Sequence, residues 1–208
     1  MKKIILASRN QHKVSEIKSM LSDYDVLSLS DIGFEGDIEE TGSTSSENAK
    51  IKALAVREFC DEKGISYPVI ADDSGLFVNA LDGAPGVNSA RYAGDHNDES
   101  NRQKLLKELA GKIDRTAYFE CDLFYASTTE NKLFVGRTYG EITTRKIGDE
   151  SFGYDCLFMS ADLNKTFGEA TAEEKDRVSH RGRAMEKFIA WIGDKSSPNF
   201  DRTLKFNK

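Results

Sequence analysis

The stretch "PVIADDSGLFV", Pro68 to Val78, decides how the chain is read. Pro68 opens a β-branched run, Val69-Ile70, that reads as a strand, and Leu76-Phe77-Val78 reads as the next one. Between them Asp73-Ser74-Gly75 is turn chemistry, since Asp and Ser bond nearby backbone and Gly accepts a positive φ. A turn needs one such aspartate, yet Asp72 and Asp73 stand side by side. Two carboxylates at the mouth of a buried strand repel each other and lose solvation, so something cationic is expected to offset them.

Upstream of that stretch, Ile4-Ile5-Leu6-Ala7 has the continuous apolar pattern of a buried strand. The polar segment Ser8 to Lys13 leads into Val14, Ile17, Met20 and Leu21, which share one helical face. Residues 33–46 read as a loop rich in Gly, Glu, Ser and Thr. Thr44 with Glu47 forms a capping box that starts a helix stopping at Gly64.

Downstream, Gly83, Pro85, Gly86 and Gly94 mark a long loop, and a helix carrying Leu105, Leu106 and Leu109 ends near Gly111. Residues 116–128 and 132–143 read as an antiparallel hairpin, and "SFGYDCLFM" as a further aromatic strand. Thr171 with Glu174 forms a second capping box, and a last helix ends at Gly193. Alternating strands and helices followed by a hairpin predict an α/β fold with a mixed sheet. A single domain over residues 1–193 is expected, with 194–208 as a C-terminal tail.

The 208 residues suffice for a substantial core, and 38% hydrophobic with 31% charged residues is a globular composition. A formal net charge of −6 argues against a general nucleic-acid binder, whose phosphate-tracking surface is usually basic. A small anionic ligand remains compatible, because a local cluster can be basic on an acidic protein. Three scattered cysteines suggest neither a disulfide framework nor a zinc site, and a reducing compartment follows. The first apolar run is too short to target or span a membrane, so a cytoplasmic protein with no membrane partner is expected.

Four stretches can carry chemistry. Ser8, Asn10 and Lys13 precede or open a helix whose free N–H groups and dipole can hold an anion. The alternative is Asn10 as a simple N-cap and Lys13 as a solvated side chain. Asp72 and Asp73, with Glu39 and Glu40, can hold a magnesium ion, which accepts few carboxylates and leaves positions for phosphates and water. One of the aspartates can also serve as a general base; otherwise they are a capped turn and an acidic loop. Phe152-Gly153-Tyr154-Asp155 suits a planar heterocycle, with rings to stack and a carboxylate to accept N–H donors. In "EEKDRVSHRGRA", Lys175 sits one turn into a capped helix. Ser179 can cap a fresh one, which places His180 and Arg181 in its first turn.

Taken in order, "LASRNQHKVSEI", "EETG" with "ENA", "IADDSGL", "GAPGVNSARYAG", "FGYD" and "EEKDRVSHRGRA" resemble the inosine triphosphate pyrophosphatase family, the XTP/dITP diphosphatases. The resemblance runs from about residue 4 to about residue 192. It departs from the family pattern at Arg9, where a Gly is usual, and at Cys156-Leu157, where Pro-Ile is usual.

The resemblance implies a magnesium-dependent hydrolase. It would cleave non-standard purine nucleoside triphosphates (ITP, dITP, XTP) between the α and β phosphates, releasing monophosphate and pyrophosphate. It implies Asp73 as general base and metal ligand, and Glu40 as second metal ligand. Ser8, Arg9, Asn10, Gln11, His12, Lys13 and Ser74 would contact phosphate. Phe152, Gly153, Tyr154 and Asp155 would form a base-reading strand, with Lys175, His180 and Arg181 closing the site. The implied fold is a long mixed sheet flanked by helices, in two lobes with the substrate cleft between them, in a homodimer. The competing readings are a related pyrophosphatase acting on modified pyrimidine or ordinary nucleotides, and a nucleotide-binding protein without turnover.

Overall fold

A computed structural model describes residues 2–150 and 152–195. Strand β1 (Lys2–Leu6) buries Ile4, Ile5 and Leu6 on both faces, as its unbroken apolar run requires. Helix α1 (Gln11–Met20) starts at Asn10, whose side-chain oxygen accepts from the backbone N–H groups of His12 and Lys13. A short strand β2 (Tyr24–Leu27), too brief for its alternation to register in the sequence, pairs in parallel with β1. Helix α2 (Ser45–Glu62) follows the long loop and begins at the Thr44–Glu47 capping box, both halves of which are formed.

The stretch from Pro68 is not two strands and a turn. Residues Val69–Val78 form one continuous strand, β3, of ten residues. It pairs antiparallel with β5 (Thr116–Ala126) along its whole length, from Val69 opposite Ala126 to Val78 opposite Ala117. Ten cross-strand pairs outweigh the local turn preference of Asp-Ser-Gly, and the polar side chains find partners on each face. Gly75 serves close approach: a Cβ there would lie 2.6 Å from the carbonyl oxygen of Gly86, on the two-residue strand β4 (Pro85–Gly86).

Helix α3 (Asp98–Glu108) leads into the β5–β6 hairpin, with β6 at Asn131–Ile142. The expected aromatic strand shrinks to β7 (Phe158–Ser160), paired with β8 (Lys165–Thr166). Residues 152–157 are turn instead, with Gly153 at φ +50° and the Leu157 N–H bonded to the Tyr154 carbonyl. Helix α4 (Ala172–Val178) starts at the Thr171–Glu174 capping box and stops at Ser179, whose extended backbone breaks the chain direction. Helix α5 (His180–Lys195) begins there, the Ser179 hydroxyl accepting from the Gly182 N–H, and runs two residues past the predicted stop at Gly193. The predicted tail lies, from residue 196, outside the described residues.

Among the described residues the strands form one eight-stranded mixed sheet in the order β2-β1-β3-β5-β6-β7-β8, with β4 added to β3. Helix α2 covers one face through Ala49, Ala53 and Val56, and α1 with α5 covers the other through Ile17, Ala184, Met185 and Phe188. Helix α5 rests on the sheet where β6 carries Gly136: a Cβ there would sit 2.0 Å from the His180 carbonyl oxygen and 2.4 Å from the Ala184 nitrogen. Backbone on backbone leaves no flexible atom to yield. Gly136→Ala should therefore cost about 3 kcal/mol or more by urea unfolding, the upper range for overpacking. A variant as stable as the parent would show that α5 is not seated on β6 in this way.

Candidate active site

A cleft of about 930 Å³ runs from the loop before α1 to the turn at residues 152–155. Strand alternation sorts the two aspartates, because successive side chains of a strand leave opposite faces. Asp72 points towards α1 and α5, where Lys13 Nζ lies 3.1 Å and Arg181 Nη2 3.2 Å from its Oδ2. Asp73 points towards α2, where Lys52 Nζ lies 3.3 Å from Oδ1 and the Asn48 amide donates to Oδ2 at 3.4 Å. The cations expected from the sequence are present, and each aspartate has its own.

The two carboxylates differ accordingly. Asp72 is buried, yet Lys13, Arg181 and Lys52 outweigh the burial and hold its carboxyl far below the usual range, a permanent anion. Burial dominates at Asp73 and raises its carboxyl; Lys52 and Lys13 pull it down, while Glu40 and Asp72 push it back up. A carboxylate with raised proton affinity at a cleft floor is suited to take a proton from water.

Lys52 was not singled out in the sequence. Its ammonium also donates to Glu40 at 2.8 Å, standing between the two carboxylates predicted to hold a metal. The four-residue spacing from Asn48 puts both on one face of α2 beside Ala49 and Ala53, a polar pair on an apolar face that the sequence does display. Hard carboxylate oxygens from Glu40 and Asp73, flanking a place that already accommodates one positive charge, fit a magnesium ion completed by phosphates and water.

At the end formed by the loop before α1, Ser8, Arg9, Asn10, His12 and Lys13 line the cleft, whereas Gln11 does not. Gln11 reaches only the Arg9 carbonyl, at 3.5 Å. The Asn10 side chain is spent as the N-cap, and Arg9 is held by Asp37 at 3.0 Å and the Gly36 carbonyl at 3.0 Å. Ser74 lines the cleft and accepts from Arg181 at 3.3 Å.

At the other end, Phe152, Gly153, Tyr154, Asp155 and His180 line the cleft, and the His12 ring stacks on Phe152 with centroids 4.8 Å apart. The stretch acts as a turn, pinned from α3: Asp98 accepts the Gly153 N–H at 2.7 Å, and Arg102 donates to the Gly153 carbonyl at 2.8 Å. Burial, reinforced by Arg181 and Lys175, keeps His180 neutral, stacked on Phe119 with a buried Nδ1 that has no hydrogen-bond partner. Such a ring can donate or accept towards a heterocycle.

Arg181 lines the cleft as well, and Lys175 sits behind it. Arg181 is almost wholly buried and clamped between Asp72 and Glu16, with Nη2 also donating to Ser74. Lys175 stands off the cleft wall, 2.5 Å from Asp155 and 2.7 Å from Glu16, with its ammonium over the Phe152 ring. Glu16, also absent from the sequence reading, therefore joins the two cations. Burial alone would raise its carboxyl, but Arg181 and Lys175 bring it below the usual value.

Fold and cleft together define a class: mixed-sheet α/β proteins with a groove that runs from a helix N-terminus to a turn carrying aromatic rings. Residues 4–191 match the Ham1 family, and the chain belongs to it. The dITP/XTP pyrophosphatase of Clostridium perfringens is 48% identical over 194 residues, covering 90% of this chain and 95% of that protein. The solved Ham1 protein of Staphylococcus aureus superposes with a TM-score of 0.83 at 41% identity, over 94% of this chain and 100% of that one. The Ham1 protein of Coxiella burnetii gives a TM-score of 0.81 at 37% identity, over 93% and 100%.

The clamp on Asp72 can be tested through stability. Asp72→Asn leaves Lys13 and Arg181 without their anion and should cost about 3–5 kcal/mol near neutral pH. A depressed carboxyl contributes stability above the unfolded-state value and loses it as pH falls towards the folded one. The difference between parent and variant in urea midpoints should therefore shrink below about pH 4. A difference constant with pH would contradict the clamp.

Proposed function

We propose that the protein hydrolyses non-standard purine nucleoside triphosphates, ITP, dITP and XTP, to the monophosphate and pyrophosphate. The observation that carries this reading is Asp73 on the cleft floor, flanked by Lys52 and Glu40, with a helix N-terminus on one side and a ring pocket on the other. The activity named for the Clostridium perfringens relative supports it.

In this reading the triphosphate lies near the N-terminus of α1, whose dipole favours an anion, with Lys13 and Lys52 supplying positive potential. Glu40 and Asp73 would hold magnesium, which when bound neutralises charge on the phosphates. Asp73 orients a water towards the α phosphorus and takes its proton, a role its raised proton affinity suits. The base would lie beside the stacked rings of Phe152 and His12, and neutral His180 can donate to a purine 6-keto oxygen. Adenine carries an amino donor at that position, so an adenine nucleotide would leave the His180 donor unpaired.

The same reading places the enzyme in the cytoplasm as a homodimer. Among the described residues no helix is long and apolar enough to cross a membrane, and the three cysteines are free and buried. Support for the dimer is an aromatic strip on the sheet face, where Phe77 stacks on Tyr118 and Tyr118 meets the exposed Tyr139.

Pyrophosphate release from ITP, XTP, dITP, ATP and dTTP, with and without magnesium, tests the reading. Release should be fastest from the first three and require the metal. Fastest turnover of dTTP, or none of any nucleotide, would overturn it. Asp73→Asn should lower turnover by about 10²- to 10⁴-fold, the usual worth of a general base, with the melting curve nearly unchanged. A fully active variant would remove Asp73 from that role.

A further inference from the structure

Five lysine and arginine side chains line the cleft, and four of them already hold an acid. Lys13 is bound to Asp72, Lys52 to Glu40 and Asp73, Arg181 to Asp72 and Glu16, and Arg9 to Asp37. The fifth is Arg91, on the loop between β4 and α3. It is partly buried, and among the described residues its guanidinium has no hydrogen bond, ion pair or ring contact.

That side chain is carried on a firmly held backbone. Residues Ser89–Arg91 form a single 3-10 turn. The Ser89 carbonyl accepts from the Tyr154 hydroxyl at 2.8 Å, and the Ala90 carbonyl from the Asn101 amide at 3.1 Å. The Arg91 carbonyl accepts from the Gly94 N–H at 2.8 Å, and the Tyr92 carbonyl from Lys104 at 2.8 Å. The buried Ser89 hydroxyl accepts the Leu76 N–H at 2.8 Å and donates to the Gly86 carbonyl at 2.6 Å, fastening the loop to β3. Buried polar groups need such partners, and together these bonds fix the loop without the Arg91 side chain. A guanidinium has five N–H donors and a permanent charge, and on the wall of a concave site these are open to a ligand.

We propose that Arg91 is a further substrate-binding residue, which grips phosphate oxygens of the triphosphate chain from the wall formed by this loop. The inference rests on the reading of the cleft as a nucleoside triphosphate site and adds a residue to it. Charge favours phosphate over the ring as the target. A purine offers neutral acceptors, whereas a polyphosphate brings several negative charges into a cleft whose other lysines and arginines are already offset by carboxylates. The planar fork of arginine meets two phosphate oxygens at once, and such charge-assisted bonds are about twice as strong as neutral ones. The reach is adequate too. The bond from Leu76 to Ser89 anchors the loop three residues along β3 from Asp73. That is roughly 10 Å of strand, within the combined span of an arginine side chain and a chain of phosphates.

Calorimetric titration of inorganic tripolyphosphate, and separately of inosine, into the full-length protein with Mg2+ present tests the assignment. Wild type, Arg91→Gln and Arg91→Lys are compared, and each is melted alongside. Arg91→Gln should bind tripolyphosphate about tenfold more weakly or worse, the worth of a hydrogen bond to a charged group. Arg91→Lys keeps the charge and should lose less. Inosine binding and melting temperature should match wild type in both variants. Unchanged tripolyphosphate affinity in Arg91→Gln overturns the inference while leaving the site around Asp73 standing. Weaker binding of inosine with tripolyphosphate unaffected also overturns it, by placing the guanidinium on the ring. A lowered melting temperature overturns it by making the residue structural. A wild type that binds neither compound defeats the triphosphate-site reading itself, and this inference with it.

Discussion

The structure depends on the refusal of β3 to turn. Because Val69–Val78 stay extended, neighbouring side chains are thrown to opposite faces of the sheet. The adjacent aspartates are therefore not a pair. Asp72 goes to the side of α1 and α5 and becomes a permanent anion. Asp73 goes to the side of α2 and keeps a raised proton affinity. One strand delivers a permanently charged carboxylate and one of raised proton affinity from consecutive positions.

The structural charge heads a buried chain. Asp72 binds Arg181, Arg181 binds Glu16, Glu16 binds Lys175, and Lys175 binds Asp155. That sequence of contacts ties β3, α5, α1, α4 and the turn at 152–155 together along the cleft wall. Breaking one link strands a buried charge, which is far more costly than an intact pair is stabilising. The start of α1 and the turn at 152–155, which border the cleft, are thus tied together through largely buried charges. Gly136 and Ser179 serve the same end locally: one lets α5 lie on the sheet, and the other breaks the chain so that His180 and Arg181 open α5.

Much of this was legible in the sequence where local chemistry decides the outcome. The capping boxes at Thr44–Glu47 and Thr171–Glu174, the cap at Asn10 and the break at Ser179 all form as their spacing predicts. Local chemistry misled where tertiary pairing overrode it. Asp-Ser-Gly reads as a turn, but the β3–β5 ladder keeps it straight, and the aromatic run at Phe152–Leu157 is a turn because Asp98 and Arg102 pin Gly153. Lys52 and Glu16 escaped notice because a lone charge on a helix is ordinarily solvated. Only the fold shows that each faces two partners of opposite sign. The Asn48–Lys52 spacing was the available hint.

Division of labour between residues 72 and 73 is best examined by crystallography with Mn2+ and a non-hydrolysable ITP analogue, locating the ion by its anomalous scattering. The peak should lie against Asp73 and Glu40, with Asp72 still bonded to Lys13 and Arg181. An ion seated on Asp72, or an Arg181 drawn away from it onto the nucleotide, would contradict the separation of roles that β3 imposes.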